Sequence, residues 1–276
     1  MSRNAVGSFI VLLLLSTLSA CGGSAQQTQS DSNKKQTKVV LIWCDVTSSL
    51  RDLESEEVAN LASSVLDHLP EDARYVVYPI QNETGRPVHI IKKGPSLDAT
   101  SVSEAETQDT MNVDRATYIK KEISRLYQEN KKKHPHDRRT CILNTLEVSA
   151  KYFSQFDDNY DPELVFISDM LEDCQYTPLH RNVQLDQQPF SETIKMIDSF
   201  ASPPDLSRAR ITIIVPTAKD TATVPSGQRP APLDVERFWT TVFARCNFSK
   251  DLLANKDRYF WSPEGVPERL LRLAEE

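Results

Sequence analysis

Asp45, Thr47 and Ser49 stand at alternate positions directly after a continuous apolar run, Lys38–Asp45 (KVVLIWCD). On a turn entering a helix, alternate residues can point the same way, so one carboxylate and two hydroxyls can converge on a point. Thr140 opens a second helical pattern just after a basic loop and offers a third hydroxyl. Asp169 closes another apolar run, Pro162–Asp169 (PELVFISD), with a second carboxylate. All five are hard oxygen donors. Such a set suits Mg²⁺, or Mn²⁺ or Ca²⁺, and suits zinc or copper poorly. The competing reading makes Asp45, Thr47 and Ser49 helix caps that satisfy orphan backbone N–H groups.

These residues need strands to carry them and helices to separate the strands. Lys38–Asp45 and Pro162–Asp169 are apolar without alternation, as in parallel strands buried on both faces. Ser48–Leu69 has helical spacing and stops at Pro70. Arg74–Ile80 and Val88–Lys92 are β-rich and too closely joined for anything but an antiparallel pair. A charged helix is expected over Val113–Lys133. Another opens at Arg139-Thr140, with Leu143, Leu146, Ala150 and Phe153 on one side. Ser191–Phe200 reads as a short helix and Ala209–Val215 as a parallel strand. Leu233–Asn247 reads as a helix with Trp239 and Phe243 in the core, Arg258–Trp261 as a short strand and Pro267–Ala274 as a terminal helix. The fold class expected is α/β: a three-layer, doubly wound, mostly parallel sheet with one antiparallel edge strand. In such sheets ligands sit beyond the carboxyl ends of the strands, where the strand order reverses, and both acids stand at such ends.

The pattern Asp45-x-Thr47-x-Ser49 after a first strand, with a loop Thr140 and a strand-ending Asp169, resembles the von Willebrand factor type A domain and its metal-ion-dependent adhesion site. The resemblance spans roughly residues 38–262. It implies that the hydroxyls bind the metal directly, that the acids act largely through water, and that a carboxylate from a protein partner completes the shell. Two positions depart from the family pattern: Thr47 stands where Ser is commoner, and Arg139 stands where a Gly usually precedes the loop Thr. A strand ending on Asp also begins haloacid-dehalogenase-like phosphatases, but that chemistry wants a second acid two residues on, and position 47 is Thr. A metal-dependent phosphoester hydrolase is the enzyme alternative, with Glu172 or Asp173 as its base. A metal-free structural component is the other. The reading favoured is a binding module and not an enzyme.

The chain has 276 residues, 39% hydrophobic and 26% charged, with a net charge of −7. That composition is globular, and its acidic balance argues against coating a nucleic acid. With only 7 Gly, and with neither a Walker A nor a Gly-x-Ser-x-Gly sequence, phosphate loops and serine hydrolase chemistry have no foothold. Arg3 and the apolar run Phe9–Leu15 read as a secretory signal over residues 1–20. Its end, Leu18-Ser19-Ala20-Cys21, resembles the lipobox of bacterial lipoproteins, which implies cleavage before Cys21 and a lipid on that residue. Residues 21–37 then form a polar tether with a reach of roughly 20 Å, and the domain occupies 38–276. Such a chain belongs to the cell envelope as a lipid-anchored protein. Gly22, where the best-studied retention signal has Asp, points to the outer membrane.

Lys133, Arg138 and Arg139 lie in a basic run before Thr140. They read either as a positive rim that attracts an acidic partner or as a solvated helix end. With Cys21 assigned to lipid, Cys44, Cys141, Cys174 and Cys246 remain and allow three disulfide connectivities. Cys44 reads equally well as a free buried thiol. The loops 94–112, 175–190 and 216–232 are candidate partner contacts.

Overall fold

The computed structural model describes residues 36–47, 52–81, 91–93, 115–133, 140–172, 195, 198, 203–216, 232–248, 258–263 and 265–274. In chain order its elements are β1 (Thr37–Asp45), α1 (Asp52–Asp67), β2 (Arg74–Ile80), β3 (Ile91–Lys93), α2 (Arg115–Lys133), α3 (Leu143–Phe153), β4 (Tyr160–Ile167), β5 (Arg210–Ile214), α4 (Pro232–Arg245), β6 (Tyr259–Ser262) and α5 (Glu268–Leu271). The strands form one sheet in the order β3-β2-β1-β4-β5-β6. Every pairing is parallel except β2 with β3.

Successive side chains of a strand face opposite ways, and β1 uses both faces. Val39, Leu41 and Trp43 enter one apolar cluster with Leu143, Leu146 and Phe153 of α3 and Phe238, Trp239 and Phe243 of α4. Val40, Ile42 and Cys44 enter a second cluster with Val58, Ala62 and Val65 of α1, Ile119 and Ile123 of α2, and Leu270 of α5. Each fully buried large apolar side chain contributes about 1.5–3 kcal/mol. The unbroken apolar run of β1 is therefore what a strand between two helical layers requires.

One strand proline sits where a neighbouring ladder has not yet begun: Pro162 pairs with Val39 of β1, and β5 begins pairing only at Glu163. A missing N–H costs no ladder bond at such a place.

At the amino ends of the strands, Glu163 is fully buried and receives two hydrogen bonds from the Arg269 guanidinium, at 2.6 and 2.8 Å. Thr212 donates to the same carboxylate at 2.9 Å. The Arg269 guanidinium also lies 4.3 Å from the centre of the Phe260 ring. Beside them Lys38 meets Asp161 at 2.6 Å, and Arg210 bonds the same Asp161.

The expected architecture holds, and several boundaries move. Helix α3 starts at Leu143 instead of at Thr140, and β4 ends at Ile167, two residues before Asp169. Both candidate ligands therefore sit on loops, where the backbone is free to turn a side chain toward the site. Helix α5 is four residues long instead of eight; of the expected Ser48–Leu69 helix and Val88–Lys92 strand, the starts lie outside the described residues. The signal, the tether and the body of the helix expected over Ser191–Phe200 lie outside the described residues.

Candidate metal centre

Between β1 and β4 the strand order reverses: the chain runs outward through β2 and β3, then returns to β4 on the other side of β1. The candidate residues meet at the carboxyl ends of these two strands. Asp45 is the last residue of β1 and is buried. Its Oδ1 accepts the backbone N–H of Thr47 at 3.0 Å and the Thr47 hydroxyl at 2.7 Å. An acid that folds onto the amide two residues on is an Asx-turn, which explains why Asp suits the point where a strand must bend away. Thr140, 93 residues further along, donates its hydroxyl to Thr47 Oγ1 at 3.2 Å. From the neighbouring strand end, Ser168 donates to Asp45 Oδ2 at 3.0 Å and accepts the Met170 N–H at 3.0 Å. Asp169 makes its own Asx-turn, accepting the Leu171 N–H at 3.0 Å.

Burial, and next the neighbouring Asp169 carboxylate, push the Asp45 carboxyl up to about 7. The donors on Thr47 and Ser168 work against that rise. The charge of the partly exposed Asp169 thus bears on a buried carboxylate, an arrangement that a divalent cation relieves. The hydroxyls are also turned suitably. Thr47 donates its hydroxyl proton to Asp45 and Thr140 donates its own to Thr47, and a hydroxyl that gives its proton away can turn an oxygen lone pair to a cation. The donor set therefore fits a hard cation. Among the described residues no three His, Cys, Asp or Glu side chains form a metal-holding group, so a cation here depends on hydroxyl ligands.

The loops are braced from outside. Asn130 of α2 donates to the Val46 carbonyl at 3.0 Å, within the Asp45–Ser49 motif. Met170 is buried with φ 59°, a left-handed conformation that costs a non-glycine residue roughly 1–3 kcal/mol. The Trp239 indole N–H of α4 donates to its carbonyl at 2.8 Å and helps to hold it there. Glu172 is buried, and its Oε2 accepts the N–H groups of both Ile142 (2.6 Å) and Leu143 (2.9 Å) at the start of α3.

The structure thus brings Asp45, Thr47 and Thr140 together and sets Asp169 on the adjoining loop. Ser49, Arg138, Arg139 and Cys21 lie outside the described residues. Lys133 is the exposed last residue of α2, 4.0 Å from Glu129. Cys141 is disulfide-bonded, while Cys44 and Cys246 are free and buried; the bonding partner of Cys141 is outside the described residues. The sequence reading missed Ser168 and Asn130. Ser168 had a signal, a hydroxyl directly before the strand-ending acid. Asn130 had none, as one amide on a charged helix.

No family model matches this sequence, and no curated protein matches it. Distant structural likenesses exist. The manganese-loaded TRAP protein of Plasmodium vivax is 11% identical, with 87% of this chain and 72% of that chain covered and a TM-score of 0.41. A von Willebrand factor type A structure from Catenulispora acidiphila is 11% identical, over 76% of this chain and 43% of that one, at 0.34. An aerotolerance-related membrane protein of Bacteroides fragilis is 10% identical, over 87% and 98%, at 0.37. Among the described residues, no helix is long and apolar enough to cross a membrane.

Proposed function

We propose that this chain is a lipid-anchored binding module of the bacterial envelope, with a von Willebrand factor type A-like domain that captures a protein partner through a divalent cation. Thr47, Ser49 and Thr140 would hold Mg²⁺, or Mn²⁺ or Ca²⁺, by their hydroxyls. Asp45 and Asp169 would balance its charge, largely through water. When bound, the cation supplies a positive centre for an Asp or Glu carboxylate of the partner. The chain's own residues do the rest: Asp45 orients the Thr47 hydroxyl, Ser168 steadies Asp45, and Asn130 fixes the loop between them. Lipid on Cys21 and the tether to residue 37 would keep the domain at the membrane, the outer one where the cell has two. Lys133, Arg138 and Arg139 would form a basic rim that draws in the acidic partner.

The observation that supports this most is the meeting of Thr47 and Thr140 at 3.2 Å beside Asp45, at the switch point of the sheet. Two hydroxyls and a carboxylate from distant segments converge there, and local capping does not require Thr140 to be present. A hydrolase reading finds less support in Glu172, whose Oε2 already receives two backbone N–H groups, and Asp173, its other candidate base, lies outside the described residues.

The test is a Mg²⁺ and Mn²⁺ titration of the domain from residue 36, comparing wild type with Asp45→Ala and Asp45→Asn. Wild type should bind and the variants should not. Equal binding in all, or none in any, overturns the proposal. Partner capture should disappear with chelator. Turnover of model phosphoesters would favour the enzyme reading instead.

A further inference from the structure

We infer that Glu172 is the positioning residue of this site, clamping the start of α3 so that Thr140 is held beside Thr47; the inference rests on the metal-binding reading above. Helix α3 begins without a cap of its own. Ile142 occupies the N-cap position and its side chain makes no capping hydrogen bond. The first N–H groups of a helix need partners, and Thr140, Cys141, Ile142 and Leu143 are all buried, so solvent is a poor source. Glu172 supplies the cap from 30 residues away, accepting both the Ile142 and Leu143 N–H groups on one oxygen. The need is mutual. A buried carboxylate is costly unless hydrogen-bonded, and the positive end of a helix is where it is least so. Each group therefore fixes the other.

The consequence falls on Thr140. Only one residue separates it from the first gripped amide, at most about 7 Å of chain. The residue between them, Cys141, is itself cross-linked. On the other side, Asp169 precedes Glu172 by three residues and is locked in its own turn. Glu172 thus ties the loop that carries Thr140 to the loop that carries Asp169.

The experiment is a Mn²⁺ titration of the same domain as wild type, Glu172→Ala, Glu172→Asp, Glu172→Gln, Thr140→Ala and the double variant Glu172→Ala/Thr140→Ala. Glu172→Ala should weaken Mn²⁺ on the order of tenfold. Glu172→Asp, one methylene too short to reach both amides, should do the same and serves if the alanine variant does not fold. Glu172→Gln keeps an acceptor at the same reach and should bind within about threefold of wild type. Thr140→Ala should cost much less in the Glu172→Ala background than in wild type. Amide exchange at Ile142 and Leu143 should speed up in Glu172→Ala while Val40–Ile42 stay protected. Unchanged affinity, additive losses, or a glutamine variant as weak as alanine would each overturn the positioning role while leaving metal binding intact. A wild type that binds no Mn²⁺ would overturn both.

Discussion

Asp45 illustrates how a single carboxylate can be poised against the protein that carries it. Its oxygens are satisfied, yet burial and the charge of Asp169 push it up to about 7. For an acid held above its unfolded value, the folded state binds the proton more tightly. The stability this contributes is complete below about 4 and disappears as pH rises through about 7. The metal-free domain should therefore lose stability across that window, and Asp45→Asn should flatten the profile in urea melts read at several pH values. A cation competes with the same proton, so Mg²⁺ affinity should have the opposite slope and strengthen from pH 5 to 8. The adjacent Cys44 thiol is also pushed up by burial, and secondarily by Asp45. It is a packed, unreactive residue of the second core cluster and not a participant in the site.

At the level of elements, the loops that bear the site are held by side chains from their neighbours: Asn130 from α2, Trp239 from α4 and Glu172 across to α3. The opposite end of the sheet has a comparable tie. Helix α5 is four residues long, too short to persist without docking. Leu270 buries against the sheet, and Arg269 grips Glu163 through two hydrogen bonds. Removing one member of such a pair leaves the other charge buried. Arg269→Ala should cost about 3 kcal/mol, seen as a lowered urea midpoint. Replacing both with apolar residues, Glu163→Leu and Arg269→Met, should cost less than Arg269→Ala alone.

For the whole molecule, the winding of the sheet matters more than any one contact. Placing β1 between β2 and β4 puts Asp45, at the end of β1, beside the loop after β4 that carries Asp169, and leaves a crevice where the connections part in opposite directions. Helices cover both faces, so the crevice edge is the natural place for a ligand. A cation that binds only the folded chain must stabilise it. At a hundredfold excess over Kd the gain is about 2.7 kcal/mol, a rise on the order of 5–10 °C in Tm. Chelator should reverse that rise, and Asp45→Asn should abolish it, both read by thermal melting with and without Mg²⁺.

The residues alone determined the sheet, the class of the fold and the acids at its strand ends, because period, apolar runs and proline stops are properties of neighbours in sequence. They also identified Thr47 and Thr140 by kind, as hydroxyls near strand or helix boundaries. They could not settle what Glu172 does: a carboxylate after a strand looks equally like a base, a ligand or a cap. Asn130 was invisible for the same reason, and Ser168 was marked only by its place beside an acid, since each gains its meaning from a partner 84 or 123 residues away. Local chemistry chose the donors. Only the tertiary structure, by bringing the ends of β1 and β4 and the start of α3 to one place, decided which of them meet and what holds them there.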